Sequence, residues 1–301
     1  MQIKKFMQKN NSNVQCIFFN GMKKLIQNDK GCVLMKINQY KLLFPTILLV
    51  FSFFPLTIYA EDEKQTKKNK YAMPKHVFSI TKENTYKNTL EDQSSIEPSE
   101  LTKELIDGSS IEITNQNFIK QLNETAISPS PISFGYRGMV YLGRWALDYE
   151  STETTVNWEY QQINTNELNN VGGNRDELLQ YVQQGDREVL GVLTSKISEP
   201  DDVRQMILST VKQKTRLPVS FRTKIGNNTK KENKYNVPVQ KYGYLNGYVP
   251  AVHEQGKIIF GETYIQLKGS KKSLVIKNVT KQEIGAWMPL HDHISLHVHM
   301  K

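Results

Sequence analysis

The C-terminal stretch LHDHISLHVHMK is rich in histidine, the side chain that most often binds metal ions in proteins. Its four histidines are His291, His293, His297 and His299. Side chains alternate between the two faces of a strand, so these odd-numbered residues are predicted to share one face. The opposite face then carries the aliphatic residues Ile294, Leu296, Val298 and Met300. Two imidazoles spaced two residues apart can reach one ion, which makes a divalent metal site one hypothesis for this strand.

Distance limits the metal hypothesis. His293 and His297 are about 13 Å apart on an extended strand, so the four imidazoles cannot surround one tetrahedral ion. Two half-sites are required, or one pair completed by a distant ligand such as His253 or a carboxylate. The alternative is a half-buried strand whose solvent-facing side chains are histidines without a ligand. No cofactor is therefore expected from the sequence. The single candidate that it suggests is a divalent metal ion at the histidine strand.

A second candidate site is the segment KYGYLNGYV. On a strand, Tyr242, Tyr244 and Tyr248 lie on one face, and Gly243 and Gly247 lie on the other. An exposed row of aromatic rings suits a polysaccharide, because sugar rings pack against flat apolar surfaces. The same row is ordinary core if it is buried, since tyrosine is common in strands.

Catalytic motifs are scarce. The chain has no GxSxG, no HExxH, no Walker loop and no dinucleotide fingerprint. The pattern Ser-x-x-Lys occurs at residues 79–82 and 209–212 without the SDN and KTG partners of penicillin-recognising enzymes. Two acidic pairs have the residue types that glycoside hydrolysis uses: Asp148 with Glu150, and Glu153 with Glu159. Spacing does not show that either pair faces one bond, so enzymatic activity is not predicted.

The formal net charge of +9 belongs mainly to the N-terminal part of the chain. Residues 1–60 contain eight lysines and one acid, Asp29, which gives +7 and leaves +2 for the remainder. A nearly neutral remainder lacks the basic surface of a nucleic-acid-binding domain, so no nucleic-acid partner is expected. The two cysteines, Cys16 and Cys32, lie in the same part. Residues 61–301 therefore offer no disulfide, cysteine nucleophile or thiolate metal site.

Residues 35–60 have the organisation of a signal peptide. Lys36 and Lys41 form a positive flank, residues 42–56 are apolar, and Ala60 ends a short segment suited to signal peptidase. An uncleaved membrane anchor is the alternative, although such anchors need about 20 apolar residues. Either way the domain is expected outside the cell, secreted or tethered to the outer face of the membrane, with membrane contact only through an uncleaved leader.

Residues 1–34 do not fit the start of a signal peptide. Met22 and Met35 are alternative start sites, so this extension is expected to arise from start-codon choice or to be a cytoplasmic segment without its own fold. Residues 61–97 are polar and charged, which predicts a flexible tether. A single globular domain is predicted over residues 98–301, and nothing in the sequence predicts its oligomeric state.

The predicted domain is α+β, mainly antiparallel sheet with two short helices and one longer helix. The short helices are expected at residues 99–107, ending at Gly108, and at residues 117–123, capped by Asn115. The long helix is expected at about 202–216, capped by Asp201. Apolar alternation predicts strands at residues 132–142, 154–163, 189–197, 219–225, 242–249, 257–267, 273–279 and 290–300. The segment LKGSKKSLVI predicts a hairpin.

Several segments resemble the YfkD-like family of exported proteins from Bacillus and related spore-forming bacteria. The most specific is the run GYRGMVYLGRWALDYESTETTVNWEYQQINTN from Gly135. Others are PSELTKELI from Pro98, LNETAIS from Leu122, YGYLNGYVPAV from Tyr242, and LKGSKKSLVIKNVT with GAWMP between Leu267 and Pro289. The likeness covers roughly residues 74–289. It implies a signal peptide, no established activity or catalytic residues, and a role in sporulation or the cell envelope.

The sequence thus favours an exported protein that acts as a non-enzymatic binding or structural module and contacts a cell-envelope component. Two alternatives remain open. One is a metal-binding protein that uses the histidine strand, and the other is a cell-wall-directed hydrolase.

Overall fold

The computed structural model describes residues 27–28, 31–32, 70–89, 95–125 and 137–301. The predicted signal peptide, residues 35–60, lies outside them. The chain divides into two compact units, Met1–Glu63 and Lys64–Lys301. In the first, β1 (Gln27–Asn28) pairs antiparallel with β2 (Gly31–Cys32). No helix among the described residues is long and apolar enough for a membrane span.

The second unit consists mostly of antiparallel strands, with three helices among the described residues, so the predicted α+β class is confirmed. Its elements in chain order are β3 (Val77–Ser79), α1 (Glu100–Asp107), α2 (Gln116–Glu124), β4 (Arg137–Asn169), β5 (Glu177–Val182), β6 (Arg187–Leu190), β7 (Val192–Leu193), α3 (Pro200–Thr215), β8 (Arg222–Ile225), β9 (Lys230–Val237), β10 (Tyr242–Lys268), β11 (Lys271–Pro289) and β12 (His293–Met300).

The main sheet is built around β10, which is 27 residues long. One edge of β10 pairs with β4 along its whole length. The other edge pairs first with β12 and then with β11, to which β10 is joined by the predicted hairpin. β3 extends the sheet beyond β12, and β7 extends it beyond β11. Two small antiparallel pairs, β5 with β9 and β6 with β8, complete the strands.

β4 contains 33 residues and is therefore longer than the strand it pairs with. The difference is absorbed at five register shifts, where β4 carries extra residues. The widest lies opposite Pro250: Gln161 pairs with Val249 and Asn157 pairs with Ala251, so residues 158–160 bulge out between them. Proline has no N–H to donate to a ladder, which explains the interruption at this point.

Three hydrophobic clusters pack against the same sheet. α3 covers the middle of it, and its buried residues Val203 and Ile207 join a cluster that includes Val252 and Met288. A second cluster joins β5, β6, β8 and β9 to Leu245 and to β12. A third places α1 and α2 over the hairpin end of the sheet. The buried residues of β10 alternate out of step between clusters, with Leu245 in the second and Val252 in the first, so we define the faces locally. Wherever a cluster packs on the sheet, that side is the core face, and the opposite side is the open face.

Helix ends follow local capping rules with one exception. Ser99 caps α1 and Asn115 caps α2 through their side chains, as the sequence predicts. The prediction that Asp201 caps α3 is wrong, because the helix begins at Pro200 and Glu199 occupies the cap position without a side-chain bond. Proline is favoured at the first helical position, where its missing N–H has no intrahelical partner.

The polar segment predicted as a tether is partly structured. β3 pairs with β12, and Ile80 is completely buried in the second cluster. The predicted strands 154–163, 242–249 and 257–267 prove to be parts of β4 and β10, which continue through the intervening residues. The sequence does not predict β5 and β9, because their segments ELLQYV and KKENKYNV lack a clear apolar alternation.

Candidate ligand-binding face

Tyr242, Tyr244 and Tyr248 lie half-buried on the open face of β10. Gly243, Leu245 and Gly247, which alternate with them, are buried on the core face. At Gly243 an added Cβ would lie 2.6 Å from a Val237 methyl, and at Gly247 it would lie 2.5 Å from the Tyr181 ring. The glycines therefore let β5 and β9 approach the sheet closely, while the tyrosines remain on the accessible side.

The bulge opposite Pro250 adds a fourth aromatic residue to this face. Tyr160 stacks on Trp287, with ring centroids 4.8 Å apart and planes inclined by 19°. His253, the cross-strand partner of Trp287, stacks on the same indole with centroids 4.3 Å apart. The buried residues Val252 and Met288 flank this pair and face the first cluster, so His253 and Trp287 point away from that cluster. Tyr160 also packs against the second cluster.

His297 connects this stack with the tyrosine row. Its ring meets Tyr248 edge-on at 5.8 Å and His76 at 4.6 Å. Its Nε2 lies 3.2 Å from Oε1 of Glu159, the residue before Tyr160 in the bulge. The bulge thus supplies the Glu159 carboxylate to His297, beside the tyrosine row, and the Tyr160 ring to the stack on Trp287. We define the aromatic face as Tyr160, Tyr242, Tyr244, Tyr248, His253, Trp287 and His297.

The far end of the aromatic face is a tyrosine pair. The rings of Tyr242 and Tyr244 are 4.7 Å apart, and the Lys301 ammonium lies 5.2 Å from the Tyr244 centroid. The Tyr242 hydroxyl donates a 2.8 Å hydrogen bond to Glu167, and this bond raises the pKa of Tyr242. Tyr242 therefore keeps its proton, and its ring is held in one orientation by the carboxylate.

Polar side chains lie between the aromatic groups. Gln162 and Thr165 of β4 both donate to the Asn246 amide oxygen, Thr165 at 2.9 Å. Asn246 occupies the open face between Tyr244 and Tyr248. Beyond His253 a groove of about 440 Å³ continues along the sheet. Its lining includes Gln255, Lys257, Glu283 and Thr194, which offer both donors and acceptors.

Comparison with known proteins places the chain in a family. The model of the YfkD-like protein family matches residues 74–301. This chain belongs to the YfkD-like family. It is 47% identical over 250 residues to the uncharacterised protein YfkD of Bacillus subtilis, covering 83% of this chain and 92% of that protein. No solved structure matches.

The histidines of this YfkD-like chain do not form one row. His297 and His299 lie on the open face, opposite Asn246 and Tyr244. His293 begins β12 and bonds the His291 carbonyl through Nδ1 at 2.7 Å. The prediction that all four share a strand face is wrong for His291, which is buried in the turn before β12 and contacts Asp292. Leu290 bridges to Val219 just before this turn, and the chain bends at Asp292, which has a φ of 50°.

Metal and catalytic candidates gain no support from their neighbours. Among the residues that the structure describes, no group of three or more His, Cys, Asp or Glu side chains is arranged to hold a metal ion. Asp148 is largely buried and accepts a bond from Thr114, whereas Glu150 pairs with Lys281. Glu159 is engaged with His297.

Sequence reasoning missed Tyr160 and Trp287 as members of the site, and considered His253 only as a metal ligand. Tyr160 reaches the open face through a three-residue bulge that periodicity cannot reveal. The indicator available in the sequence was Pro250, whose missing N–H predicts an interrupted ladder within an otherwise strand-forming segment.

Proposed function

We propose that this YfkD-like protein is exported and binds a neutral polysaccharide of the cell envelope along its aromatic face, without changing it chemically. The observation that carries the proposal is the contact of His297 with both Tyr248 and Glu159, which brings the tyrosine row of β10 next to the Tyr160–Trp287–His253 stack.

The chemistry of the face matches that of a sugar chain. Aromatic rings pack against the C–H surfaces of sugars, and side-chain amides and hydroxyls bond to sugar hydroxyls. Asn246, Gln162 and Thr165 supply such groups between the rings. The aromatic face is not strongly charged, since Glu159 pairs with His297 and the Glu167 carboxylate at the tyrosine pair is offset by the Lys301 ammonium there. A neutral chain therefore fits better than a polyanion.

The length of the face favours a polymer over a single sugar. Tyr242 to Tyr248 extend over about 20 Å at the usual rise of a strand. Three tyrosine rings and His297 lie along that length, so several sugar units can be in contact at once. Weak contacts repeated along one chain give a useful affinity although each contributes little.

Binding is tested with the purified unit Lys64–Lys301, which contains all three hydrophobic clusters and the complete sheet. Retention on isolated cell wall and on purified neutral polysaccharides is compared for the wild type, Trp287→Ala, and the triple variant of Tyr242, Tyr244 and Tyr248 to Ala. Each variant should weaken binding by about tenfold or more. Tyr86→Ala is the matched control, because Tyr86 is an exposed ring outside the aromatic face.

Two results would overturn the binding proposal. One is equal retention of all variants by every polysaccharide, with unfolding midpoints showing that each variant is folded. The other is release of shortened sugar chains by the wild type, which would favour a hydrolase. Export is tested separately by cell fractionation and N-terminal sequencing, with Glu61 as the expected first residue. A full-length chain confined to the cytosol would contradict it.

A further inference from the structure

The hairpin end of the main sheet carries a row of positive charges that has no counterpart elsewhere among the described strands. Arg137 of β4 is the register partner of Lys268 of β10, which in turn is the partner of Lys271 of β11. All three are exposed, and none of them forms an ion pair with another described residue. Like charges directly opposite one another on a sheet are destabilising, so binding of an anion would stabilise this row.

The charges continue along the open face. Lys277 and Arg144 flank Glu262 from the two neighbouring strands, and Glu262 is the one acid on this part of the face. Its carboxylate already accepts bonds from Tyr264 and Asn278. The hairpin end therefore presents five cations, Arg137, Arg144, Lys268, Lys271 and Lys277, against a single carboxylate.

Apolar side chains are exposed directly beside these cations. Met139, Val140 and Tyr141 are consecutive on β4 and are 43%, 48% and 56% exposed. Val279 of β11 is 46% exposed. Tyr141 packs against Tyr264, and the Lys277 ammonium lies 5.2 Å from the Tyr264 ring. Met139 and Tyr141 pair with Gln266 and Tyr264 and lie on the same face as the cations, whereas Val140 pairs with the buried Ile265 on the other face. An edge that exposes apolar side chains next to a cationic row has the two features of a surface that binds lipid interfaces.

We propose that this hairpin end docks on an anionic lipid bilayer. The lysines and arginines contact the headgroups, and Met139 and Tyr141 enter the interface between headgroups and acyl chains. A soluble polyanion would neutralise the same cations but would leave the apolar residues in water, so the bilayer accounts for both features. From the sequence alone, membrane contact is expected only through an uncleaved leader. This surface would provide a second contact that does not depend on the leader.

Docking at the hairpin end leaves the aromatic face accessible. On β10 the aromatic face ends at His253 and the charged surface begins at Glu262, nine residues or about 30 Å further along the strand. The hairpin turn at Gly269, which has a φ of 61°, forms the tip that approaches the bilayer. This inference does not depend on the proposed function, because it concerns different residues and a different ligand.

The experiment is co-sedimentation of the unit Lys64–Lys301 with vesicles of phosphatidylcholine, with and without phosphatidylglycerol. Binding should require phosphatidylglycerol and should weaken as salt is added. The double variant Lys268→Gln and Lys271→Gln should bind about 25-fold more weakly, or about fivefold for each cation removed. The matched control is Lys230→Gln with Lys234→Gln, two exposed lysines of β9 that should leave binding unchanged.

A second pair of variants separates the bilayer from other polyanions. Met139→Ser with Tyr141→Ser should weaken vesicle binding, whereas Val171→Ser with Leu178→Ser, also exposed, should not. Equal binding of wild type and Lys268/Lys271 variant, or no binding to phosphatidylglycerol vesicles, would overturn the proposal. Vesicle binding that is insensitive to the Met139/Tyr141 change and is displaced by soluble polyphosphate would also overturn it, in favour of an anionic polymer.

Discussion

The side-chain amide of Asn84 donates a 2.7 Å hydrogen bond to Oδ1 of Asp292, which lies 208 positions further along the chain. The amide of Asn88 donates to the same oxygen. Asp292 is almost completely buried, has a φ of 50°, and its N–H donates to Oγ1 of Thr223 at 3.3 Å. These bonds fasten the segment after β3 to the turn that precedes β12.

Replacement of Asp292 by alanine should destabilise the fold by about 3 kcal/mol. The change leaves two amides without their acceptor and places an alanine at a positive φ, which is unfavourable for a residue with a Cβ. Asp292→Asn is the matched control, because asparagine tolerates this backbone conformation and keeps one acceptor oxygen. Urea unfolding measures both. Equal losses for the two variants would contradict the assigned role of the carboxylate.

The completely buried carboxylate of Glu254 predicts a second sensitive position. It accepts bonds from the hydroxyls of Tyr149 at 3.1 Å and Thr154 at 2.5 Å. Burial and this carboxylate together raise the pKa of Tyr149, so the phenol remains a donor. Glu254→Ala should cost about 3 kcal/mol, since it leaves both hydroxyls unpaired in the core.

The control for Glu254 is Glu153→Ala, an exposed acid on β4 that pairs in register with Gln255 beside it. Surface changes of this kind usually alter the free energy of unfolding by less than about 0.5 kcal/mol. Thermal unfolding measures the loss of stability in each of the two variants. A loss at Glu254 no greater than at Glu153 would show that the buried hydrogen bonds contribute little.

Gly247 should tolerate no side chain. Alanine there would bring its Cβ within 2.5 Å of the Tyr181 ring, which is itself completely buried. Overpacking of this kind typically costs about 1–3 kcal/mol. Gly172→Ala is the matched control, because nothing lies within 4 Å of the added Cβ. If both variants have the same denaturant midpoint, the close approach of β5 to β10 is not needed for stability.

His293 should make the fold sensitive to mild acid. Burial lowers its pKa from the ordinary 6.5, and the neighbouring His291 lowers it further, while the His291 carbonyl and Asp292 act in the opposite direction. Below pH 6.5 the unfolded chain therefore binds a proton that the folded state resists. The contribution of neutral His293 to the free energy of unfolding is complete above pH 6.5. It is lost as the pH falls from 6.5 towards the lower pKa of His293 in the folded state.

Urea midpoints at neutral and mildly acidic pH measure this effect. His293→Gln should reduce the loss of stability across that interval, whatever it does to stability at neutral pH. His299→Gln is the control, because His299 is exposed at the end of β12. An unchanged pH dependence in the His293 variant would mean that other groups cause the acid sensitivity.

The parts of the fold that the sequence predicts are those governed by local rules. Ser99 and Asn115 cap their helices because a side-chain oxygen three residues or fewer away can satisfy free N–H groups, and this depends on no distant residue. The hairpin at Gly269 is equally local, since its turn connects residues that pair directly, Lys268 with Lys271. The alternation of Tyr242, Tyr244 and Tyr248 follows from the period of a strand.

What the sequence could not predict depends on distant partners. Asn84 and Asn88 lie in a segment that the sequence predicts as a tether. Only the fold shows that both amides donate to Asp292. Tyr160 belongs to the aromatic face only because the bulge opposite Pro250 shifts the register of β4. His291 leaves the predicted row because the chain bends at Asp292, whose positive φ is not encoded by periodicity.

The bulges of β4 also bear on solubility. Among the described strands, β4 pairs only with β10, so no strand covers its outer edge. Around Ala146 and Leu147 that edge is bonded instead by the segment that contains Thr114 and Asn115. A long regular edge would invite strands of other molecules to pair and aggregate. The register shifts divide β4 into paired stretches of six residues at most. Because each bulge bends and twists the edge, an incoming strand finds no long template, and the protein can keep an uncovered edge without forming intermolecular sheets.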